Sequence, residues 1–325
     1  MQEKKIMKVA AIGELLIDLA QTGLSDDGYP YLAANPGGAP ANFLAALCGY
    51  GCEGVFIGKV GNDAFGDLLE KTLEDKGICT AGLVKTDVFF TTLAFVTFDK
   101  NGERTFSFAR KPGADAALTF EEIDTALIES SDVLHFGTVS LTREPAAGAV
   151  KKAVLWAKER GRLISFDPNY REPLWDEREN AKEAILWGLK AADVVKISDN
   201  EVEFLWQADP QEGADRILNE FGAKLVFVTL GPEGCFFCNK NVSGTVTAPK
   251  VRPKDTTGAG DIFGGSALSR LLRLGKDPAL LTYDELKDIA DFACTAASLS
   301  TERSGGIGSV PPQDEVMALM SRQHL

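Results

Sequence analysis

A chain of 325 residues, 45% apolar and 25% charged, has enough material for one large α/β domain with an appendage and shows no bias towards disorder. Its formal net charge of −13 and pI near 4.8 set up a field that repels polyanions, so neither nucleic acid nor an anionic membrane is an expected partner. No run reaches the ~18 consecutive apolar residues of a membrane span, and the apolar run ending at Gly13 is too short and too early for an export signal.

A cytoplasmic location is therefore expected, with Cys48, Cys52, Cys79, Cys235, Cys238 and Cys294 as reduced thiols. Cys235 and Cys238 form a C-x-x-C, but only His135 and His324 could join them in a metal site. The segment also reads as a strand, where residues three apart face opposite ways. Two ordinary strand cysteines are expected.

In chain order, residues 9–13 read as a buried strand, 41–50 as a small-residue helix, 55–58 as a strand and 65–76 as an amphipathic helix. Further short β-rich runs follow at 133–136, 163–167, 194–197 and 225–229. Helical stretches such as 146–160 and 181–191 lie between them. This alternation predicts a mostly parallel sheet with helices on both faces. Two stretches break it: 29–34 is short and extended, and 93–99 with 104–109 forms a hairpin pattern through Asn101-Gly102. Strands with no helix between them predict a small separate β-sheet, placed as a lid over a cleft or as a decoration.

The most informative run is Asp255-Thr256-Thr257-Gly258-Ala259-Gly260-Asp261, followed by a helical pattern over 262–274. Gly258, Ala259 and Gly260 are small enough for their N–H groups to approach a ligand where a helix begins, and unpaired donors and the positive dipole end converge there. That is an anion hole suited to a transferring phosphoryl group. Asp261, in the first turn, is placed to take a proton from an attacking hydroxyl. A dinucleotide fingerprint would need a third glycine where Phe263 stands, and a Walker loop needs a Gly-Lys-Ser/Thr that the chain lacks. A helix-capping turn explains the glycines but not the two aspartates that bracket them.

The run resembles the C-terminal motif of the ribokinase-like, or PfkB, carbohydrate kinases. Gly37-Gly38-Ala39-Pro40-Ala41-Asn42, and then Gly58-x-x-Gly61-x-Asp63-x-x-Gly66, resemble that family's N-terminal motif, and the similarity runs from about residue 9 to 311. The resemblance implies a three-layer α/β sandwich in one domain over 1–325, with a mostly parallel central sheet and a β lid from segments near 18–36 and 91–111. It implies an ATP-dependent sugar kinase using Mg²⁺, with K⁺ as an activator. An exposed lid sheet is also a surface for a homodimer.

Carried over position by position, the resemblance makes Asp18, Gly37, Gly38 and Asn42 sugar ligands, although Asp18 read alone is more often a helix or turn cap. Asn200-x-x-Glu203 matches a motif whose Asn faces nucleotide phosphates and whose Glu organises Mg²⁺ through water. Thr229, Gly231 and Gly234 match a nucleotide loop. Asp255, Thr257, Ser300, Arg303, Gly305 and Ser309 match a monovalent-cation site, and Cys294 departs from the Asn often found near the nucleotide.

Arg110 and Arg171 are candidates for the acceptor pocket, where a guanidinium can hold hydroxyls or a carboxylate. The wording of 93–97, 167–175 and 196–205 is most similar to fructokinases, with 2-keto-3-deoxygluconate kinase and then ribokinase as alternatives. A sugar-binding protein of the same fold without turnover is the alternative of a different class.

Overall fold

The structure, a computed structural model, describes residues 6–98 and 104–323. Strand β1 (Lys8–Ile12) leads into β2 (Leu16–Leu24) and β3 (Pro30–Gly37). Helix α1 (Ala39–Gly49), β4 (Glu53–Gly61), α2 (Ala64–Asp75), β5 (Ile78–Thr86), β6 (Leu93–Phe98) and β7 (Arg104–Ala109) follow. Alternation resumes with α3 (Thr125–Glu129), β8 (Val133–Gly137), α4 (Ala146–Glu159), β9 (Leu163–Asp167), α5 (Arg178–Ala191) and β10 (Val194–Ser198). Next come α6 (Asp199–Trp206), α7 (Pro210–Arg216), β11 (Leu225–Thr229), β12 (Cys235–Cys238) and β13 (Ser243–Val246). Helices α8 (Ala259–Leu274), α9 (Tyr283–Ser300) and α10 (Gln313–Gln323) close the chain.

The main sheet has nine strands in the order β13-β12-β11-β10-β9-β8-β1-β4-β5. All neighbours from β11 through β5 pair in parallel, and β12 and β13 extend the β11 edge antiparallel. Alternate side chains feed two separate cores, as the two-residue period of a strand requires. Val9, Ala11, Phe56 and Phe227 pack with Phe43, Leu47, Phe263 and Ile289 of α1, α8 and α9. Ala10, Ile12, Phe136 and Val226 pack on the opposite face with Val150, Val154, Ile185 and Leu189 of α4 and α5. The three-layer sandwich follows from apolar strands buried on both faces. Cys235 falls in the first core and Cys238 in the second, and all six cysteines are free thiols.

The smaller sheet has the order β3-β2-β6-β7, with β2 and β6 parallel and both outer pairs antiparallel. The two expected segments therefore do form a separate sheet; the Asn101-Gly102 turn lies outside the described residues. Strands β2, β5 and β13 were not expected. In β2 burial fades from Leu16 towards an exposed Leu24, and β5 is an edge strand carrying Lys85, so neither shows a clean apolar period. Among the described residues no helix is long and apolar enough to cross a membrane.

One helix contact sets the position of the C-terminal glycine run. Helix α8 lies so close to α1 that a Cβ on Gly265 would come 2.1 Å from the Phe43 carbonyl oxygen. A backbone oxygen inside a helix cannot swing aside, so Gly265→Ala must separate the helices. It should cost about 1–3 kcal/mol by overpacking, read as a lower urea midpoint with the slope unchanged. An unaltered midpoint would mean that the α1–α8 contact yields freely.

Candidate active site

The carboxyl ends of β1, β8, β10 and β11 deliver Glu14, Val139, Ser198 and Thr229 to one cleft, where open parallel sheets place their ligands. The smaller sheet supplies the facing wall through Leu16, Asp18 and Phe108, and the α8 N-terminus supplies Gly258, Gly260 and Asp261. The cleft encloses about 780 Å³.

Gly258 stands at the α8 N-cap in the left-handed conformation, φ 78°, so the chain turns sharply into the helix; the Ala259 N–H donates to the Thr256 carbonyl at 3.3 Å, while the Gly258 and Gly260 N–H groups form no bond among the described residues. Ala259 and Gly260 open the helix and Asp261 is its third residue. The Asp261 carboxylate is 6% exposed, and its Oδ2 accepts a 2.8 Å bond from Asn42 Nδ2. Burial raises its pKa, while the Asn42 bond and the charges of Lys196 and Arg171 oppose the rise. Asn42 Oδ1, also buried, has no partner among the described residues, so the amide spends its donor on Asp261 and keeps its acceptor free.

Asp18 sits on β2 opposite Asn35 and forms no hydrogen bond or ion pair among the described residues. Gly37 makes room for it, since a Cβ there would come 2.4 Å from Asp18 Oδ2. Gly38, Asn42 and Arg171 line the same end of the cleft, and Arg171 donates to the Tyr170 carbonyl. Asn200, Thr229 and Gly231 line the other end.

Three expected placements change. Arg110 does not line the cleft: it is 5% exposed, and its Nε bonds Asp115 Oδ2 at 2.7 Å. Its Nη1 reaches Thr142 Oγ1 at 2.7 Å and its Nη2 reaches the Val139 carbonyl at 3.1 Å. Those bonds use every face of the fork, which makes Arg110 a brace between β7 and the loop after β8. Glu203 is exposed on α6 and is absent from the cleft wall, although it follows Asn200 by nearly one turn. The buried carboxylate there is Glu201, which accepts from Ser198 N–H and Oγ and from Tyr170 N–H. Gly234 lies off the cleft, where a Cβ would strike the Val246 carbonyl oxygen at 2.0 Å. It lets β12 turn back rather than meeting a ligand.

The cation candidates converge only in part. Asp255 Oδ1 accepts from Thr257 N–H and Oγ1, and Oδ2 accepts from Gly305 N–H, so this carboxylate ties the 255–257 loop to the segment after α9. Ser300 and Ser309 donate their hydroxyl protons to the Ala297 and Gly306 carbonyls. Arg303 is turned to the Leu299 carbonyl and the Glu315 carboxylate, so its side chain is no cation ligand.

The sequence reading missed Lys196 and Asp167. Lys196 lines the cleft with its side chain 11% exposed, its Nζ 3.0 and 3.2 Å from the two Asp167 oxygens, and a Cβ on Gly260 would come within 2.9 Å of it. Burial alone would lower its pKa, but the carboxylates of Asp167, Glu201 and Asp261 prevail and raise it, so an ammonium lies beneath the anion hole. The visible signals were a lysine inside the apolar run Val194–Ser198 and the capping pattern Ser198-x-x-Glu201.

Burial raises Asp18 from its ordinary 3.8 to about 6, against the opposing charge of Arg171. The folded chain thus binds this proton more tightly than the unfolded one. The contribution to stability is full below pH 3.8 and is lost as pH rises through about 6. Asp18→Asn should therefore raise the thermal midpoint of the ligand-free protein at about pH 7.5 and leave it unchanged near pH 3.5. The same shift at both would show that the carboxylate is not held out of water.

The sequence pattern of the pfkB family carbohydrate kinases matches residues 7–313. Fructokinase-1 of Zea mays is 40% identical over 319 residues, covering 97% of this chain and 98% of its own. Among solved structures, the fructokinase of Xylella fastidiosa with bound ATP superposes with a TM-score of 0.90 at 30% identity, covering 98% of this chain and 99% of its own. A fructokinase double mutant of Vibrio cholerae O395, bound to fructose, ADP and a potassium ion, gives 0.86 at 31% identity, with 98% and 100% covered.

Proposed function

The chain belongs to the pfkB family of carbohydrate kinases, and we propose that it is an ATP-dependent fructokinase that phosphorylates a primary hydroxyl of D-fructose with Asp261 as the base. One observation carries the reading: a buried carboxylate stands in the first turn of α8, beside unpaired N–H groups, in a cleft whose other end is built from strand ends. Asn42 orients the carboxylate, so its free oxygen can take the hydroxyl proton as the sugar oxygen attacks. The N–H groups of Gly258, Ala259 and Gly260 stabilise the transferring phosphoryl group, and the Lys196 ammonium adds charge beneath them. Asp18, Asn42, Arg171 and the Gly37-Gly38 backbone hold the sugar; Asn200, Thr229 and Gly231 face the nucleotide.

Mg²⁺ suits this cleft as a water-clad ion on the phosphates, since among the described residues no three acidic, His or Cys side chains are grouped so as to hold a metal ion directly. Glu201 would bond its waters, and the ion would neutralise phosphate charge. K⁺ would be held by oxygens of the 255–257 loop and of the segment containing Ser300, Gly305 and Ser309, which Asp255 draws together. The smaller sheet serves as a lid that excludes water from the transfer. Its exposed Leu24, Tyr29 and Tyr31 offer a homodimer surface.

Asp261→Ala should lose at least ~10³-fold in kcat while ATP binding changes little, because its proton-accepting role exists only in the transition state. Coupled release of ADP measures this, and near-normal turnover would remove Asp261 from the role. A protein that only binds sugar would release no ADP at all.

Arg171 is the cleft feature that favours a second reading, since a guanidinium suits the carboxylate of 2-keto-3-deoxygluconate. Comparing kcat/KM for fructose, 2-keto-3-deoxygluconate and ribose decides between them. Fructose should lead by about tenfold or more, equal to ~1.4 kcal/mol of discrimination; a lead for the keto-deoxy acid would overturn the substrate and leave the kinase.

A further inference from the structure

The acceptor end of the cleft holds a second buried carboxylate for which the reaction above has no use. Glu14 follows β1 directly, lines the cleft with Leu16, Asp18, Gly38 and Asn42, and is 3% exposed. Its Oε1 accepts the Ala39 N–H at 3.0 Å, where α1 begins. A Cβ on Gly38 would come 2.5 Å from the Glu14 carbonyl oxygen, so the 37–39 loop is pressed against this residue. Among the described residues no ammonium or guanidinium forms an ion pair with Glu14, and the charge of Arg110 is already taken by Asp115.

Holding one N–H needs only a neutral acceptor, and a glutamine would serve. A carboxylate buried without a counter-ion costs more than that task requires. The surplus makes sense if the group meets a ligand. Its neighbours in the cleft narrow the ligand's chemistry. Glu14, Asp18 and Asp261 are three carboxylates around the acceptor end; among the described residues Arg171 is the one lining cation without a carboxylate partner to oppose them, because Lys196 is engaged with Asp167.

We propose that Glu14 is a ligand of the acceptor sugar and a determinant of its class, bonding a hydroxyl of an uncharged ketose and disfavouring an acceptor that carries a carboxylate. Burial raises Glu14 to about 7, so near neutrality it can donate to a sugar oxygen as well as accept from a hydroxyl. A pocket that pairs a hydroxyl discriminates by leaving its own group unpaired when that hydroxyl is missing, and a like charge adds repulsion.

The test is Glu14→Gln, which keeps an acceptor for Ala39 and nearly the same shape. Its kcat/KM for fructose should fall by about tenfold or more, with KM for ATP within about twofold. The fructose to 2-keto-3-deoxygluconate ratio should move towards the acid by a similar factor, and the thermal midpoint should not fall. Unchanged use of fructose, or an equal loss on both sugars and on ATP, overturns the assignment. The inference rests on the fructokinase reading, and the parent protein in the same assay separates the two failures. A parent that ignores fructose sinks both, whereas an active parent matched by Glu14→Gln sinks only the role of Glu14.

Discussion

Asn42 and Asp261 lie 219 residues apart, and their 2.8 Å bond joins α1 to α8. It forms because α1 and α8 approach until the Phe43 carbonyl fills the place where Gly265 would carry a side chain. Everything about the reacting centre depends on that approach. It sets the orientation of the carboxylate, and it brings the loop after β3 beside the α8 N-terminus. It also leaves the Asn42 Oδ1 as an acceptor with no partner among the described residues. A helix–helix contact built on glycine thus does the work that a longer polar side chain would do less rigidly.

The protein's charge sharpens the problem of holding a nucleotide. With a net charge of −13, the molecule's overall field opposes a polyphosphate. Binding therefore falls to short-range donors: free N–H groups at one helix end, and an ammonium kept charged by carboxylates in the cleft wall. Both are fixed by the main sheet. The Lys196–Asp167 pair joins the middle of β10 to the end of β9, and a Cβ on Gly260 would come 2.9 Å from its ammonium. Such fixed charges need no reorganisation when phosphoryl charge develops.

Much of this was legible in the residues, for physical reasons. Apolar runs of four or five residues separated by helical patterns imply a sheet buried on both faces, and β1, β8, β9 and β11 match that expectation. The glycine run stood out because its small residues and flanking aspartates have little other use at a helix start. What stayed hidden was tertiary. Strand β2 carries Asp18, Gln21 and Gly23, so its pairing with β3 and β6 decides its conformation more than its own period does. Arg110 looked available because arginine is mostly exposed, and nothing near it in the chain shows that Thr142 and Val139 will meet it. Glu203 and Glu201 differ by half a turn of helix; the capping pattern from Ser198 was the clue to which one turns inward.

The smaller sheet contributes Asp18, while the main sheet and its helices contribute Asn42 and Asp261. A sugar that bonds all three would add a cross-link between two layers already joined by the packing of Ile17, Leu19, Ala34 and Leu93 on the main core. Its binding energy is therefore shared between recognition and the docking of one layer on the other, in the sense of linked equilibria. The acceptor becomes part of the protein's own architecture for the length of one turnover. On the proposed reading, a nucleotide that met only Asn200, Thr229 and Gly231 would have no such purchase on the smaller sheet. A molecule arranged this way has a structural reason to keep ATP from water until there is an alcohol to receive the phosphate.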